Sequence, residues 1–189
     1  MGYWADEIVV REEVTLEEAR MLAAAMVAWL ADRRIIEDRQ CNGCFGDNPC
    51  YPPGPDYLLA CTNVQPGYGN SNYASFSTIC TNGMRVVVGR EFLWNSSGDF
   101  PPVPCPRCGG EKSITAYTEA GFEWLEGKAE ALQCEHCKEM SPLPEWEHPT
   151  AGFAVLAFEF FNWPEFNREF LAEFSRRLGR RMSYFGGRK

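Results

Sequence analysis

Four cysteines in two close pairs, Cys105 with Cys108 and Cys134 with Cys137, carry the clearest chemistry in the sequence. They read C-x2-C-x25-C-x2-C. Thiolates two residues apart can face one ion because a tight turn folds the backbone around it, and four such sulfurs close a tetrahedral zinc site. Gly109-Gly110, directly after Cys108, supplies the turn freedom such a knuckle needs. The second pair has Lys138 at the corresponding place, a cation that can balance thiolate charge. The 25 residues between the pairs exceed the plain ribbon spacing of about 15–20, and a short helix within them accounts for the excess. A site of four cysteines leaves no open position for water or substrate, so the expected ion is one structural Zn2+ rather than a catalytic one. His136, tethered between two ligands, and His148, 11 residues beyond the second pair, are read as ordinary histidines.

Five further cysteines, Cys41, Cys44, Cys50, Cys61 and Cys80, bring the count to nine. With no secretion signal in the sequence, metal binding is favoured over a disulfide framework. Cys41 and Cys44 form a third C-x2-C that could anchor a second ion, but Cys50, Cys61 and Cys80 offer no second pair. Buried thiols acting as small apolar side chains are therefore the preferred reading of these five. A cysteine nucleophile or redox sensor at Cys41 and Cys44 is the sharper alternative, though a nucleophile needs a base and both histidines lie in the ribbon region. P-loop, H-E-x-x-H, G-x-S-x-G and G-x-G-x-x-G patterns are all missing, and Gly-rich 65-QPGYGNSN-72 precedes no helix start. No pair of acids is spaced for general acid–base work. The expectation is a protein that is not an enzyme, with no catalytic or cofactor-binding residue to name.

The elements that must position these cysteines are partly legible. Thr15 and Glu18 form a T-x-x-E capping box, and Ala19, Leu22, Ala23, Met26, Trp29 and Leu30 follow at helical spacing. Residues 40–83 are dense in Pro, Gly and Asn and read as long irregular structure, hence functional surface. Met84–Val88 and Glu91–Trp94 flank Gly89-Arg90 as a predicted hairpin, and residues 117–127 read as the short helix between the cysteine pairs. The apolar run 151–163 predicts a buried strand. Asn162 and Glu165, with Pro164, predict the cap of a second main helix along Phe166, Phe170, Phe174 and Leu178, ended by Gly179. A last strand covers 180–185. The fold class expected is α+β: one small mixed domain over 1–189, with two main helices, few antiparallel strands and a zinc-ribbon insert at 100–148.

Composition supports a packed fold, with 45% hydrophobic and 14% aromatic residues. The longest apolar run, 21–31, is too short to span a bilayer, which takes about 20 residues. The first ten residues lack the basic start and apolar core of a signal peptide, so the cytoplasm is the expected compartment. Net charge is −8, unevenly spread: residues 165–189 carry seven Lys/Arg against three Glu, leaving the remainder at −12.

In order along the chain come Cys44 with Gly46, 53-PGPDY-57, Gly89-Arg90, the Cys105–Cys137 site, 123-EWLEG-127, 162-NWP-164 and 178-LGRR-181. This succession resembles a family of small bacterial zinc-ribbon proteins without an assigned function, some of which carry the label sugar ABC transporter ATPase. The missing P-loop argues against that label here. The resemblance implies the fold and the zinc, and no residue-level activity.

Two functions follow as expectations. An acidic body repels phosphate and suits a basic protein partner, so the leading reading is a zinc-stabilised protein-binding module, one version being an immunity protein that inhibits a bacterial toxin by direct binding. The alternative is a zinc-ribbon nucleic-acid or transcription-associated factor using Arg176, Arg177, Arg180 and Arg181. No membrane partner is expected.

Overall fold

The computed structural model describes residues 3–44, 49–62, 73–96 and 101–189. The Gly-rich segment 65–72 and Gly46 lie outside them. Among the described residues, eight strands and three α-helices form a mixed α+β fold with only antiparallel pairing. The main sheet has the order β2-β7-β1-β8, built from β1 (Trp4–Val10), β2 (Gly83–Trp94), β7 (Ala151–Phe161) and β8 (Met182–Arg188). Two small hairpins, β3 (Val103–Pro104) with β4 (Glu111–Lys112) and β5 (Ala131–Gln133) with β6 (Met140–Pro142), carry the cysteine pairs between β2 and β7.

Helix α1 (Leu16–Asp32) forms where the capping box predicts it: the Glu18 amide donates to Thr15 Oγ1, and the Thr15 amide donates to Glu18 Oε2. It buries Ala19, Ala23, Met26, Trp29 and Leu30. α3 (Arg168–Leu178) buries Phe170, Phe174 and Leu178 and ends at Gly179 in the left-handed conformation. Its cap corrects the sequence reading. Asn167, not Asn162, accepts from the Phe170 amide. Asn162 instead has φ 57° and ties β7 to β1, its amide donating to the Trp4 carbonyl while its Oδ1 accepts from the Trp4 amide. Pro164 thus precedes the helix by several residues, and Phe166 bridges to Cys61 rather than starting a turn.

Both helices cover one face of the sheet, where Ile8, Phe158, Phe160, Met84 and Leu156 meet Trp29, Phe166, Phe170 and Phe174. Trp29 stacks on Phe170 with ring centres 5.9 Å apart. Because side chains alternate along a strand, the next residues (Val9, Ala157, Val87 and Phe185) point to the opposite face and form a second apolar cluster with Leu93 and Ala154.

That second face is closed over by the sheet itself. The predicted hairpin at Gly89-Arg90 is instead one continuous strand, paired with β7 from Gly83↔Phe161 to Trp94↔Ala151, with a register shift between Val88 and Glu91. Gly89 takes φ 127° there, the backbone freedom a bulge demands. Beyond the bulge the β2–β7 pair bends over the inner face, and the Ser96 amide reaches the Arg188 carbonyl of β8, the far edge strand, at 2.8 Å. β1 itself was not anticipated; it is buried from Ala5 to Val10 in the middle of the sheet.

Residues 37–44 and 49–62 are irregular, as expected, held by single bridges such as Ile36↔Pro53 and Tyr51↔Met84 and by the short 3-10 turn Tyr57–Ala60. Another 3-10 turn spans Tyr73–Thr78. Between the small hairpins runs α2 (Ile114–Leu125), starting three residues earlier than predicted because Ser113 accepts from the Ala116 amide. It lies on the sheet through Phe153, whose ring stacks on Phe92 and meets Tyr117 and Trp124 edge-on. A Cβ on Gly121 would overlap the Phe153 ring. Alanine in a helix interior ordinarily stabilises over glycine by about 1 kcal/mol. Here the sign reverses: Gly121→Ala is expected to lose about 1–3 kcal/mol through overpacking, read as a lower denaturant midpoint. An unchanged or raised midpoint would show that α2 does not pack this tightly.

Candidate metal centre

Each cysteine pair sits at the tip of a small hairpin with the same local geometry. After β3, the Cys105 amide donates to the Gly110 carbonyl and the Gly109 amide returns to the Cys105 carbonyl, both at 2.9 Å. After β5, the Cys134 amide donates to the Glu139 carbonyl and the Lys138 amide to the Cys134 carbonyl, both at 3.0 Å. Gly109 (φ 71°) and Lys138 (φ 66°) occupy equivalent left-handed positions. The first is the glycine the sequence marked for this. The second is a lysine bearing strained backbone, its Nζ 2.6 Å from the Glu135 carbonyl.

The two knuckles face each other. All four sulfurs lie within 4.8 Å of one another and could hold a metal ion. Cys108 Sγ stands 3.7 Å from Cys134 Sγ, and Cys105 Sγ stands 3.9 Å from Cys137 Sγ. Zinc–sulfur bonds of about 2.3 Å in a tetrahedron require sulfur–sulfur edges of about 3.8 Å. Cys105 and Cys134 are buried in the core formed by Val103, Tyr117, Trp124, Leu132, Leu143, Trp146 and Phe153, while Cys108 lies at the surface. The Arg107, Gly110 and His136 amides point at Cys105, Cys108 and Cys134 Sγ, each at 3.4 Å. Such donors favour thiolate. The Cys137 amide above all, helped by that of His136, pulls Cys134 down to about 6. Cys137 moves the other way: the Glu139 amide favours its thiolate, but burial and the three neighbouring sulfurs push it up to about 12. Unscreened by a cation, four thiolates cannot share so small a volume.

Neither histidine joins this group of sulfurs. The His136 ring fills the space a Cβ on Gly110 would take, so Gly110 is required by close approach and Gly109 by its backbone angle. His148 is buried, its Nδ1 accepting from the Thr150 amide at 3.2 Å.

Comparison with known protein families, curated proteins and solved structures finds no match. What the site can do therefore rests on its geometry. Four sulfurs that enclose an ion leave it no exchangeable ligand, and the chemistry available is structural. No described helix is long and apolar enough to cross a membrane.

The other cysteines divide. Cys61 is buried 3.5 Å from the Tyr57 carbonyl, and burial pushes its thiol up to about 12, as for an apolar side chain. Cys41, Cys44 and Cys50 are not scattered, against the expectation from their spacing: they form a second group that could hold a metal ion. Cys44 and Cys50 are joined as a disulfide, and Cys80 is exposed. Spacing along the chain misses this group because Cys50 returns to Cys41 through an antiparallel bridge.

A buried charge cluster was also missed. Glu7, Glu159 and Arg85 are neighbours across β1, β7 and β2, and the two acids are 0% and 2% exposed. Lys189 Nζ lies 2.5 Å from a carboxylate oxygen of each, and Arg85 Nε lies 2.7 Å from Glu159 while its Nη atoms hold Glu91. Burial raises Glu7 to about 8 against the pull of Lys189. The readable signal is acids set within apolar runs, Asp6 and Glu7 in 5-ADEIVV-10 and Glu159 in 157-AFEFF-161, since a charge in a two-face-buried strand must be paired.

Proposed function

We propose that this chain is a non-enzymatic protein-binding module whose ribbon is stabilised by one zinc ion at Cys105, Cys108, Cys134 and Cys137, and whose partner is a basic protein. The observation that carries the reading is the outer face of α2. Phe122 is 57% exposed there, Glu119 and Glu126 lie three and four residues from it on the same side, and Glu123 is exposed beside it. An exposed aromatic anchor in an acidic surround suits a cationic surface: the ring supplies buried area and the carboxylates steer encounter. The zinc would hold both ends of that helix in register with the sheet.

The four arginines of the alternative reading are largely engaged within the chain. Arg176 and Arg177 pair with Glu173, Arg177 also covers the Trp29 ring, Arg180 reaches Glu12 and Glu18, and Arg181 reaches Glu147. These pairs reduce the charge open to a phosphate backbone without cancelling it, since the single Glu173 serves Arg33, Arg176 and Arg177. A toxin neutralised by stoichiometric binding is the version of the partner we favour.

Affinity purification from the native host with the wild type and Phe122→Glu tests the reading. A basic protein is expected with the wild type and is expected to be lost with the variant. Recovery of no protein, or of the same protein with both baits, would overturn it. Retention of DNA or RNA at about 50 mM salt, falling steeply as salt rises, would favour the nucleic-acid alternative.

A further inference from the structure

The cluster in the irregular segment goes beyond that reading. We propose that Cys41, Cys44, Cys50 and Cys80 form a second zinc site, which staples the segments 37–44 and 49–53 to the start of β2. Cys41 Sγ stands 3.9 Å from Cys44 Sγ and 3.7 Å from Cys50 Sγ. These are the same two separations found between the ribbon sulfurs, and they match the edges of a zinc–thiolate tetrahedron of about 3.8 Å. Paired backbone hydrogen bonds between Cys41 and Cys50, at 2.8 and 3.0 Å, fix that spacing.

Three sulfurs leave one corner, and the chain brings the Cys80 backbone and Cβ beside the first knuckle, its Sγ standing outside the group of three until the side chain turns. Gly43, between the first two ligands, lies against Cys80: a Cβ there would sit 3.2 Å from the Cys80 Cβ and 2.9 Å from its carbonyl oxygen. The next residues wrap the other side, with Cys44 Sγ 3.5 Å from the Asn82 carbonyl and filling the space a Gly83 Cβ would need. Cys80 is exposed and so free to turn inward, whereas Cys61 is buried at Tyr57. Glycine at 43 and at 83 is thus explained by close approach to the site.

The Cys44–Cys50 disulfide and the metal site are two states of the same sulfurs. A dithiol reductant delivers two electrons and two protons to the disulfide and is itself oxidised, giving two thiols. Zinc then displaces the protons of all four thiols and takes the thiolates. A plain disulfide would leave Cys41 at ligand distance and Cys80 beside the knuckle with no role.

Elemental analysis and native mass spectrometry of the full chain, purified with a reductant and challenged with a competing chelator, test this. Two zinc ions per wild-type chain are expected, and one in each of Cys41→Ser and Cys80→Ser. Because Cys80 is exposed, its variant keeps the test valid even where Cys41→Ser misfolds. Cobalt gives a second readout, with tetrahedral thiolate absorption growing to two equivalents in the wild type and one in Cys80→Ser. One zinc in the reduced wild type, a second ion that is iron, or two retained zinc ions in Cys80→Ser would overturn the assignment.

Discussion

Cys134→Ser is expected to remove the proposed ribbon zinc and to lower the melting temperature of the whole chain, not of the ribbon alone. Losing a metal ligand belongs to the short list of changes that cost about 4–5 kcal/mol or more. At about 2–4 °C per kcal/mol for a chain of this size, the drop is about 10–20 °C. The loss spreads because Cys105 and Cys134 are themselves part of the apolar cluster that ends on Phe153, a residue of the central strand β7. Without the ion the knuckles separate, α2 loses its seat, and Phe92 and Phe153 are exposed to water. Acid should mimic the substitution, since protons compete with zinc for thiolate and the ion is lost as pH falls. Zinc content and a thermal melt followed by tryptophan fluorescence report both effects, Trp124 and Trp146 lying in the affected core. A variant that keeps wild-type zinc content and melting would refute a structural zinc at these four cysteines.

The parts of the fold that were readable are those whose signals are local and redundant. α1 announces itself by both halves of a capping box followed by a full apolar stripe, and each ribbon knuckle by a cysteine pair. Where two structures share one local signal, the sequence misleads. A glycine with positive φ serves a tight hairpin and a bulge alike, and only the unbroken partner strand β7 decides that Gly89 makes the bulge. Likewise, the N-x-x-E signal at Asn162 and Glu165 looks like a cap but serves a tertiary tie. Asn162 is claimed by its tertiary bonds to Trp4 and Asn82, and the helix is capped by Asn167 instead. That Cys50 joins the Cys41–Cys44 pair, and that Glu7 pairs with Glu159, lies beyond any reading by spacing. Each depends on a bridge or register between segments far apart in the chain, from nine residues for Cys41 and Cys50 to more than a hundred for the two acids.

That acid pair gives the second large effect, a fall in stability as the solution becomes more alkaline. Glu7 titrates near 8 in the folded chain against about 4.3 when unfolded, because burial disfavours its charged form. Between those values the native state keeps a proton that the unfolded chain has released. Stability from this group is therefore complete below about pH 4 and is lost as pH rises to about 8. At about 1.4 kcal/mol per unit the loss is bounded at about 5 kcal/mol, and sharing of the proton with Lys189 and Glu159 makes it smaller. Asp6 has the same sign, burial raising it to about 6 despite bonds from Tyr184 and Trp4, but its window closes earlier. Urea unfolding between pH 6.5 and 8 lies above the Asp6 window, but unfolding there also returns protons to thiols such as Cys134, which adds a slope of opposite sign. The Glu7 contribution is therefore read as a difference: Glu7→Gln, which mimics the protonated acid, is expected to lose the alkaline fall that the wild type shows beside it. Glu159→Gln should behave differently: it strips a partner from both Arg85 and Lys189 and costs about 3–5 kcal/mol as a broken buried pair. Equal slopes in Glu7→Gln and the wild type would mean that Glu7 is ionised throughout, and that the cluster is an ordinary salt bridge rather than a proton store inside the sheet.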